Sequence, residues 1–437
     1  MVEIAGDLSP KAVEPWHYAH YWAWLTIMRR LIERGDDPPR VLAESCHRRR
    51  MTFLALFRLN DVHGLYPHEG QYGSFRRDHP EWVFAEKSMD YAVPQVRQHV
   101  LSVVQELVDR YDIDGIDFDF MRAPRYFRDG QIESGTPLMT DMIRQVRRIL
   151  DEAGDVNGSR RILCVRVPMT VSGSTGAGLD VPTWIRGGLV DLVVPMSSGY
   201  LDMTADVEVF VALAKRTSCK VAGGLEYYVR GYMKPDQRGI TQASIQMLRA
   251  AAASFWERGV DAIYLFNYDC HGPFPFRGEK RQALNEIHDP TRLAGTDQRY
   301  LVTTEMNREL PAGTGYKQLP RELKTPGGSS TFILFVGDDV PTTGEKKDPR
   351  RCRLLLRTSL PGTAAAKMAF HFNGTALQPT LRQGGLFVFD DPPARRGRNT
   401  LIVTLTSRPP AKPGHVRLAE VELLIQRDLP DLEKNKE

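Results

Sequence analysis

Three aspartates crowd into the run Asp114-Gly115-Ile116-Asp117-Phe118-Asp119. In a strand the side chains alternate between faces. Asp117 and Asp119 therefore share one face, and Ile116, Phe118 and Phe120 share the other. Such a strand packs its apolar side under helices and turns its acids toward an open end. Other short apolar runs finish in a similar way. They end Arg58-Leu59-Asn60-Asp61-Val62-His63, Arg166-Val167-Pro168, Ser197-Ser198-Gly199-Tyr200, Glu226-Tyr227-Tyr228 and Asn267-Tyr268-Asp269. Read together, these ends gather carboxylates (Asp61, Asp119, Glu226, Asp269), guanidinium groups, amides and aromatic rings. Glycoside hydrolysis needs that set: two carboxyl groups flank the scissile bond, one as acid and the other as nucleophile or base. Arginine nearby favours the charged carboxylate.

Asp119 and Glu226 are the expected catalytic pair, with Asp119 as nucleophile or base and Glu226 as acid. Arg58, Asn60, Asp61, His63, Asp117, Arg122, Arg166, Tyr200, Asn267 and Asp269 are the expected substrate-binding set, and Asp117 also supports Asp119. Asp114, at the start of its strand, is expected to cap or to pair with an arginine. Gly223 and Gly224 are expected to leave space around the strand end that carries Glu226. A metal would be the rival use of clustered acids, and it needs several converging oxygens. Asp-x-Asp alone does not supply them and no EF-hand spacing occurs, so no metal is expected. Neither a Walker loop nor a GxGxxG after a strand is present, so no nucleotide cofactor is expected.

The elements that position these residues alternate. Strands are predicted at residues 52–59, 114–120, 162–168, 189–196, 220–226 and 262–267. Helices are predicted around Val96, Val100, Val103, Val104 and Leu107, from a cap at Thr140 through Ile143, Val146, Ile149 and Leu150 to a stop at Gly154, and from about residue 241 to 258, ended by Gly259. Strand–helix alternation at this spacing implies βαβ units and a parallel sheet. The predicted fold class is α/β, a TIM-type (β/α)8 barrel lacking its first one or two strands in this chain. An open doubly wound sheet is the alternative. The barrel is preferred because polar residues mark the C-terminal end of nearly every strand, where barrels place their sites. Residues 1–50 offer helical material at 22–32 and 40–50 and only a stub of strand at 1–5, so the chain is expected to begin after the first strand.

From about residue 300 the texture changes to short β-type runs, at 331–336, 353–357, 368–372, 386–389, 400–406 and 418–425, with Asn373-Gly374 and Gly384-Gly385 as turns. This predicts an all-β sandwich. The expected organisation is a barrel at 1–290, a connection at 291–320, an accessory sandwich at 321–428 that packs on the barrel or binds glycan, and a charged tail at 429–437. The chain's 437 residues hold both parts. A net charge of +4 gives no electrostatic case for nucleic acid. Five scattered cysteines without a CxxC pair indicate neither a zinc site nor a disulfide framework. No apolar run reaches the ~20 residues of a membrane span. No signal peptide is visible. The number of subunits is left open.

The run Asp114-Gly115-Ile116-Asp117-Phe118-Asp119-Phe120-Met121-Arg122-Ala123-Pro124 resembles the DGI-x-x-D-x-x-R-x-P strand of glycoside hydrolase family 10-like barrel proteins. His79-Pro80-Glu81-Trp82 and Asp90-Tyr91-Ala92-Val93-Pro94-Gln95-Val96-Arg97 resemble the segment before that strand in the same group. The resemblance covers residues 40–125 well and extends more loosely to 270. It implies that 53–59 is the third barrel strand, that Asp119 ends the fourth, and that two strands precede Met1. It also implies a carbohydrate partner and the exported, periplasmic or extracellular setting of bacterial relatives; the substrate does not transfer. The chain departs from the group in carrying Asp117 where His is frequent, which puts a second carboxylate beside Asp119. The strand also resembles the D-x-x-D-x-D-x-E strand of chitinase-type barrels, but Met121 stands at the position of the acid. Methionine cannot donate a proton, so that mechanism is excluded unless another group substitutes. Two other classes stay open: a non-catalytic glycan-binding barrel, and a metal-dependent hydrolase or deacetylase.

Overall fold

The computed structural model describes residues 19–60, 74–84, 88–197, 199–230, 240–268, 276–302, 318–319, 321–341, 348–359, 367–407 and 416–429. Asp61, His63 and Asp269, and the predicted stub at 1–5, lie outside the described residues. Six parallel strands follow one another in sheet order: β1 (Leu54–Arg58), β2 (Gly115–Asp119), β3 (Ile162–Val167), β4 (Leu192–Pro195), β5 (Lys220–Glu226) and β6 (Ala262–Phe266). All six coincide with predicted strands. Helices α1 (Ala19–Glu33) and α2 (Pro38–His47) precede β1. Then α3 (Pro94–Arg110) leads into β2, α4 (Ile132–Asn157) into β3, α5 (Val171–Gly176) and α6 (Val181–Arg186) into β4, α7 (Val207–Ala214) into β5, and α8 (Ile245–Glu257) into β6; α9 (Gly278–Glu286) follows β6.

The chain divides into two compact units. One comprises Met1–Val194, Ala212–Lys220 and Arg308–Gly315; the other comprises Pro195–Val211, Val221–Asn307 and Tyr316–Glu437.

In the first unit, β1, β2 and β3 pair in register, Leu56 with Asp117 with Cys164 and Arg58 with Asp119 with Arg166. Ile116, Phe118 and Phe120 are fully buried on the opposite face. Phe118 packs on Phe57, and Phe120 on Tyr126 and Trp184. Gly115 is required by close approach: a Cβ there would lie 2.0 Å from the Ile162 carbonyl oxygen. Among the described residues no arginine pairs with Asp114. Its carboxylate accepts from the Phe53 N–H at 2.6 Å and meets His47 Nε2 at 3.0 Å, and this raises the His47 pKa. A histidine from α2 and a strand-edge N–H reach it first.

Helix α4 runs beyond its predicted bounds. It begins at Ile132, eight residues before Thr140, and ends on Gly158 in the left-handed region at φ 73°. Thr140 is an interior residue, and its hydroxyl accepts from Trp184 Nε1 at 3.0 Å. Gly154 is also interior. It is glycine because a Cβ there would meet the Ser159 carbonyl oxygen at 2.4 Å, not because the helix stops.

The second unit joins the last strands of the parallel sheet to two antiparallel sheets. One has the order β7-β16-β10-β14-β13 with β8 also on β16. Its strands are β7 (Gln298–Val302), β8 (Arg321–Leu323), β10 (Arg351–Ser359), β13 (Leu381–Gln383), β14 (Leu386–Asp390) and β16 (Val416–Gln426). The other has the order β9-β15-β11-β12, with β9 (Ser329–Val336), β11 (Lys367–Phe372), β12 (Thr375–Leu377) and β15 (Gly397–Ser407). Phe370 of β11 packs on Phe387 and Phe389 of β14, so the two sheets face each other over an aromatic core. Helix α8 begins at Ile245 with Ser244 as its cap. Residues 241 and 242, predicted as helix, instead belong with Ile240 to a strand paired against Tyr228–Arg230. The small residues Ala250 to Ala253 of α8 are buried. They let the backbone at Gly337 come so close that a Cβ on Gly337 would stand 2.0 Å from the Ala253 carbonyl carbon.

Candidate functional site

In the first unit the structure brings Arg58, Asp117, Asp119 and Arg166 onto one face of neighbouring strands. Asp119 and Arg166 form an ion pair, Nη1 to Oδ2 at 3.1 Å, with side chains 0% and 1% exposed. The other Asp119 oxygen accepts from the Met121 N–H at 2.8 Å. Met121 is itself buried. Asp117 stands beside Cys164, whose thiol donates to it. Burial first, and then the Asp117 charge, push that thiol well above its usual range, so it stays protonated. Cys164 was not anticipated as a partner; only its register with Asp117, read across two strands, could have pointed to it.

Asn60 is tied to backbone. Its amide donates to the Ala123 and Arg125 carbonyls at 3.2 and 2.6 Å, and its Oδ1 accepts from the Met89 N–H at 3.1 Å. Both donors are spent on backbone, so the side chain ties together the segments leaving β1 and β2. Neighbouring residues act similarly. Tyr91 donates to the Leu59 carbonyl at 2.7 Å, Tyr126 to the Phe120 carbonyl at 2.6 Å, and Arg128 to Asp90 at 2.7 Å. His79 stacks on Trp82 at 3.6 Å. The His-Pro-Glu-Trp and Asp-Tyr-Ala segments thus build the walls around the strand ends. Arg122, half-buried just beyond β2, remains near that end.

In the second unit Glu226 ends β5 with its side chain buried, and its Oε2 accepts from the Tyr227 N–H at 3.2 Å. The two glycines before it do not leave open space. A Cβ on Gly223 would strike the Phe255 ring at 2.4 Å, and one on Gly224 would strike Met196 at 2.4 Å. Those side chains fill the volume that glycine vacates. Asn267, directly after β6, has φ 53°, the left-handed region that Asn tolerates better than most residues. Tyr200 lies half-buried in the loop after β4.

Around these strand ends an aromatic cage forms that the sequence did not disclose. The Lys280 ammonium of α9 sits 4.6, 4.8 and 4.4 Å from the ring centres of Tyr227, Tyr268 and Phe276. Tyr268 meets Tyr227 edge-on at 5.4 Å. Burial pushes the Tyr268 phenol up to about 12 and raises Tyr227 as well, so both stay neutral hydrogen-bonding groups. Cation–π attraction holds the ammonium there. Among the described residues no three or more His, Cys, Asp or Glu side chains converge as a metal site would require.

With this geometry the chain can be compared with known proteins. Residues 9–132 match the family Glycosyl hydrolase-like 10. The match takes in β1, β2 and the segments that Asn60, Asp90 and Tyr91 tie together. Among solved structures the chain is similar to a chitinase from Rhizomucor miehei, at 13% identity and TM-score 0.39, covering 58% of this chain and 87% of that one. It is similar to a glycoside hydrolase family 18 N-acetylglucosaminidase from Paenibacillus barengoltzii, at 16% identity and TM-score 0.31, covering 41% and 74%. It is also similar to a noncanonic maltogenic alpha-amylase from Thermotoga neapolitana, at 11% identity and TM-score 0.33, covering 85% and 81%. No curated protein matches the chain. Among the described residues no helix is long and apolar enough to cross a membrane.

Proposed function

We propose that this chain hydrolyses glycosidic bonds of a poly- or oligosaccharide and that Asp119 is the reacting carboxylate of its first unit. The observation that carries the reading is the Asp119–Arg166 pair: a carboxylate at the C-terminal end of a parallel strand, oriented by a buried guanidinium and a backbone N–H. A group so oriented is suited to serve as nucleophile or base without searching rotamers, which is what positioned catalysis requires. The match of residues 9–132 to a glycosyl hydrolase-like family supports the same class. Glu226, which ends β5 with its side chain buried, is the proposed acid. Arg58, Arg122, Tyr200 and Asn267 are proposed to contact sugar, while Asn60 supports the walls. Asp61, His63 and Asp269 retain the proposed substrate role that their sequence positions suggest.

The test is turnover of a polysaccharide panel by the full chain. Asp119→Asn is expected to lower the rate by at least ~10² to 10⁴, the range of a positioned acid–base group, with folding retained. Undiminished activity of that variant on a confirmed substrate would end the proposal.

The complete burial of Asp119 favours a second reading, a barrel that binds glycan without cleaving it. On that reading the purified chain retains a glycan in pull-down while no product accumulates, and Asp119→Asn leaves retention unchanged.

A further inference from the structure

Arg258, just after α8, makes an unusual set of contacts within the second unit. Its Nη1 donates to the Ala205 carbonyl at 2.6 Å and meets Glu208 Oε2 at 3.2 Å; its Nη2 donates to the Met203 carbonyl at 2.9 Å; its Nε donates to the Ser254 carbonyl at 3.2 Å. Its guanidinium plane lies over Phe335 of β9 at 4.3 Å and over Phe255 of α8 at 5.0 Å. Burial pulls its pKa down to about 10, so it remains charged at neutral pH. The loop it grips joins β4 to α7. Residues 201–205 have no regular secondary structure and yet all are buried. Leu201 N–H donates to the Tyr228 carbonyl at 2.6 Å, and Asp202 accepts from the Thr204 N–H at 2.7 Å. Without Arg258 the buried Met203 carbonyl would lose the donor named here, a costly state, while the Ala205 carbonyl would keep only the Val207 N–H at 2.8 Å.

We propose that Arg258 is a positioning residue through which the β-sandwich fixes the loop after β4, and so fixes Tyr200 at the strand ends. Phe335 of the sandwich completes the stack on the guanidinium, and the guanidinium holds two loop carbonyls. The sandwich is then a support for the binding surface and not a glycan-binding module. The described sandwich aromatics agree: Tyr300, Phe332, Phe370, Phe372, Phe387 and Phe389 are buried, and Arg258 covers a face of Phe335. None of the six buried rings offers a face to stack on sugar. The role of Tyr200 rests on the proposed glycan reading; the fixing of the loop does not.

The test is hydrogen–deuterium exchange of the full chain, read by peptide. Phe335→Leu keeps apolar volume and removes the ring. It is expected to speed exchange in peptides covering 201–207 by about tenfold, the scale of one desolvated cation–π contact, while β11 and β15 stay protected. Arg258→Lys, which keeps charge but loses the planar fork, should act at least as strongly on the same peptides. Phe335→Tyr should restore slow exchange. Unchanged exchange at 201–207 in both Phe335→Leu and Arg258→Lys overturns the proposal, as does faster exchange spread equally over the sandwich strands. Because no substrate enters this experiment, its outcome stands apart from the activity test on Asp119.

Discussion

The buried Asp119–Arg166 pair makes a sharp energetic prediction. Arg166→Met removes the cation and replaces it with an apolar side chain. Asp119 then keeps the Met121 N–H but loses its charged partner, in a place where neither side chain is more than 1% exposed. Breaking one side of such a pair costs about 3–5 kcal/mol, because the remaining charge is uncompensated. For a domain of 150–250 residues, about 2–4 °C of melting temperature accompanies each kcal/mol, so a loss of roughly 6–20 °C is expected. Neutralising both members should cost much less than breaking the pair. In Asp119→Asn/Arg166→Met the amide can still accept from Met121, and position 119 no longer carries a charge to strand, so most of the loss should be recovered. Thermal and urea denaturation of the wild type, both single variants and the double variant close a mutant cycle. If Arg166→Met costs under about 1 kcal/mol, the pair behaves like an exposed one and the reasoning from burial fails. A double variant as unstable as Arg166→Met would refute the stranded-charge explanation in particular.

Three further outcomes follow from close packing and burial. Gly115→Ala forces a Cβ against the Ile162 carbonyl oxygen at 2.0 Å, so β2 and β3 must separate; a loss of about 3 kcal/mol or more is expected in urea denaturation. Gly337→Ala meets the Ala253 backbone as closely, and its loss should appear as faster amide exchange in both α8 and β9. Glu420 has a pKa pushed up to about 7, chiefly by burial and despite its pairing with Arg357 at 2.9 Å. The folded state therefore holds that proton more tightly than the unfolded chain. Stability from this group is greatest below its ordinary range near pH 4.5 and is lost as pH rises through 7, by up to about 3 kcal/mol. Glu420→Gln should remove that slope between pH 5 and 8 in a melting series; an unaltered slope would place its cause elsewhere.

The shared face of the strand-end residues was legible because strands alternate strictly. Asp117 and Asp119 had to share a face, and Arg58 and Arg166 had to end their strands. The backbone partners of Asn60 were not legible, because a polar residue at a strand end looks the same whether it faces ligand or backbone. Its partners at Met89, Ala123 and Arg125 are 29, 63 and 65 residues away. Gly223 and Gly224 were misread for a related reason: glycine signals that something comes close, but not what. The Lys280 cage and the Arg258 clamp left no local pattern at all.

The order of strands and helices, the change to β-type texture near residue 300 and the alternation on β2 were determined by sequence alone. They depend on hydrophobic period and turn chemistry, which act over a few residues. Tertiary structure alone decided which carboxylate is paired, that Asp114 belongs to His47 and the β1 backbone, and that Arg258 joins a loop to a sandwich. Those are contacts between residues far apart in the chain. They are selected by packing and by the cost of leaving a buried polar group unsatisfied, and neither is written into any single segment.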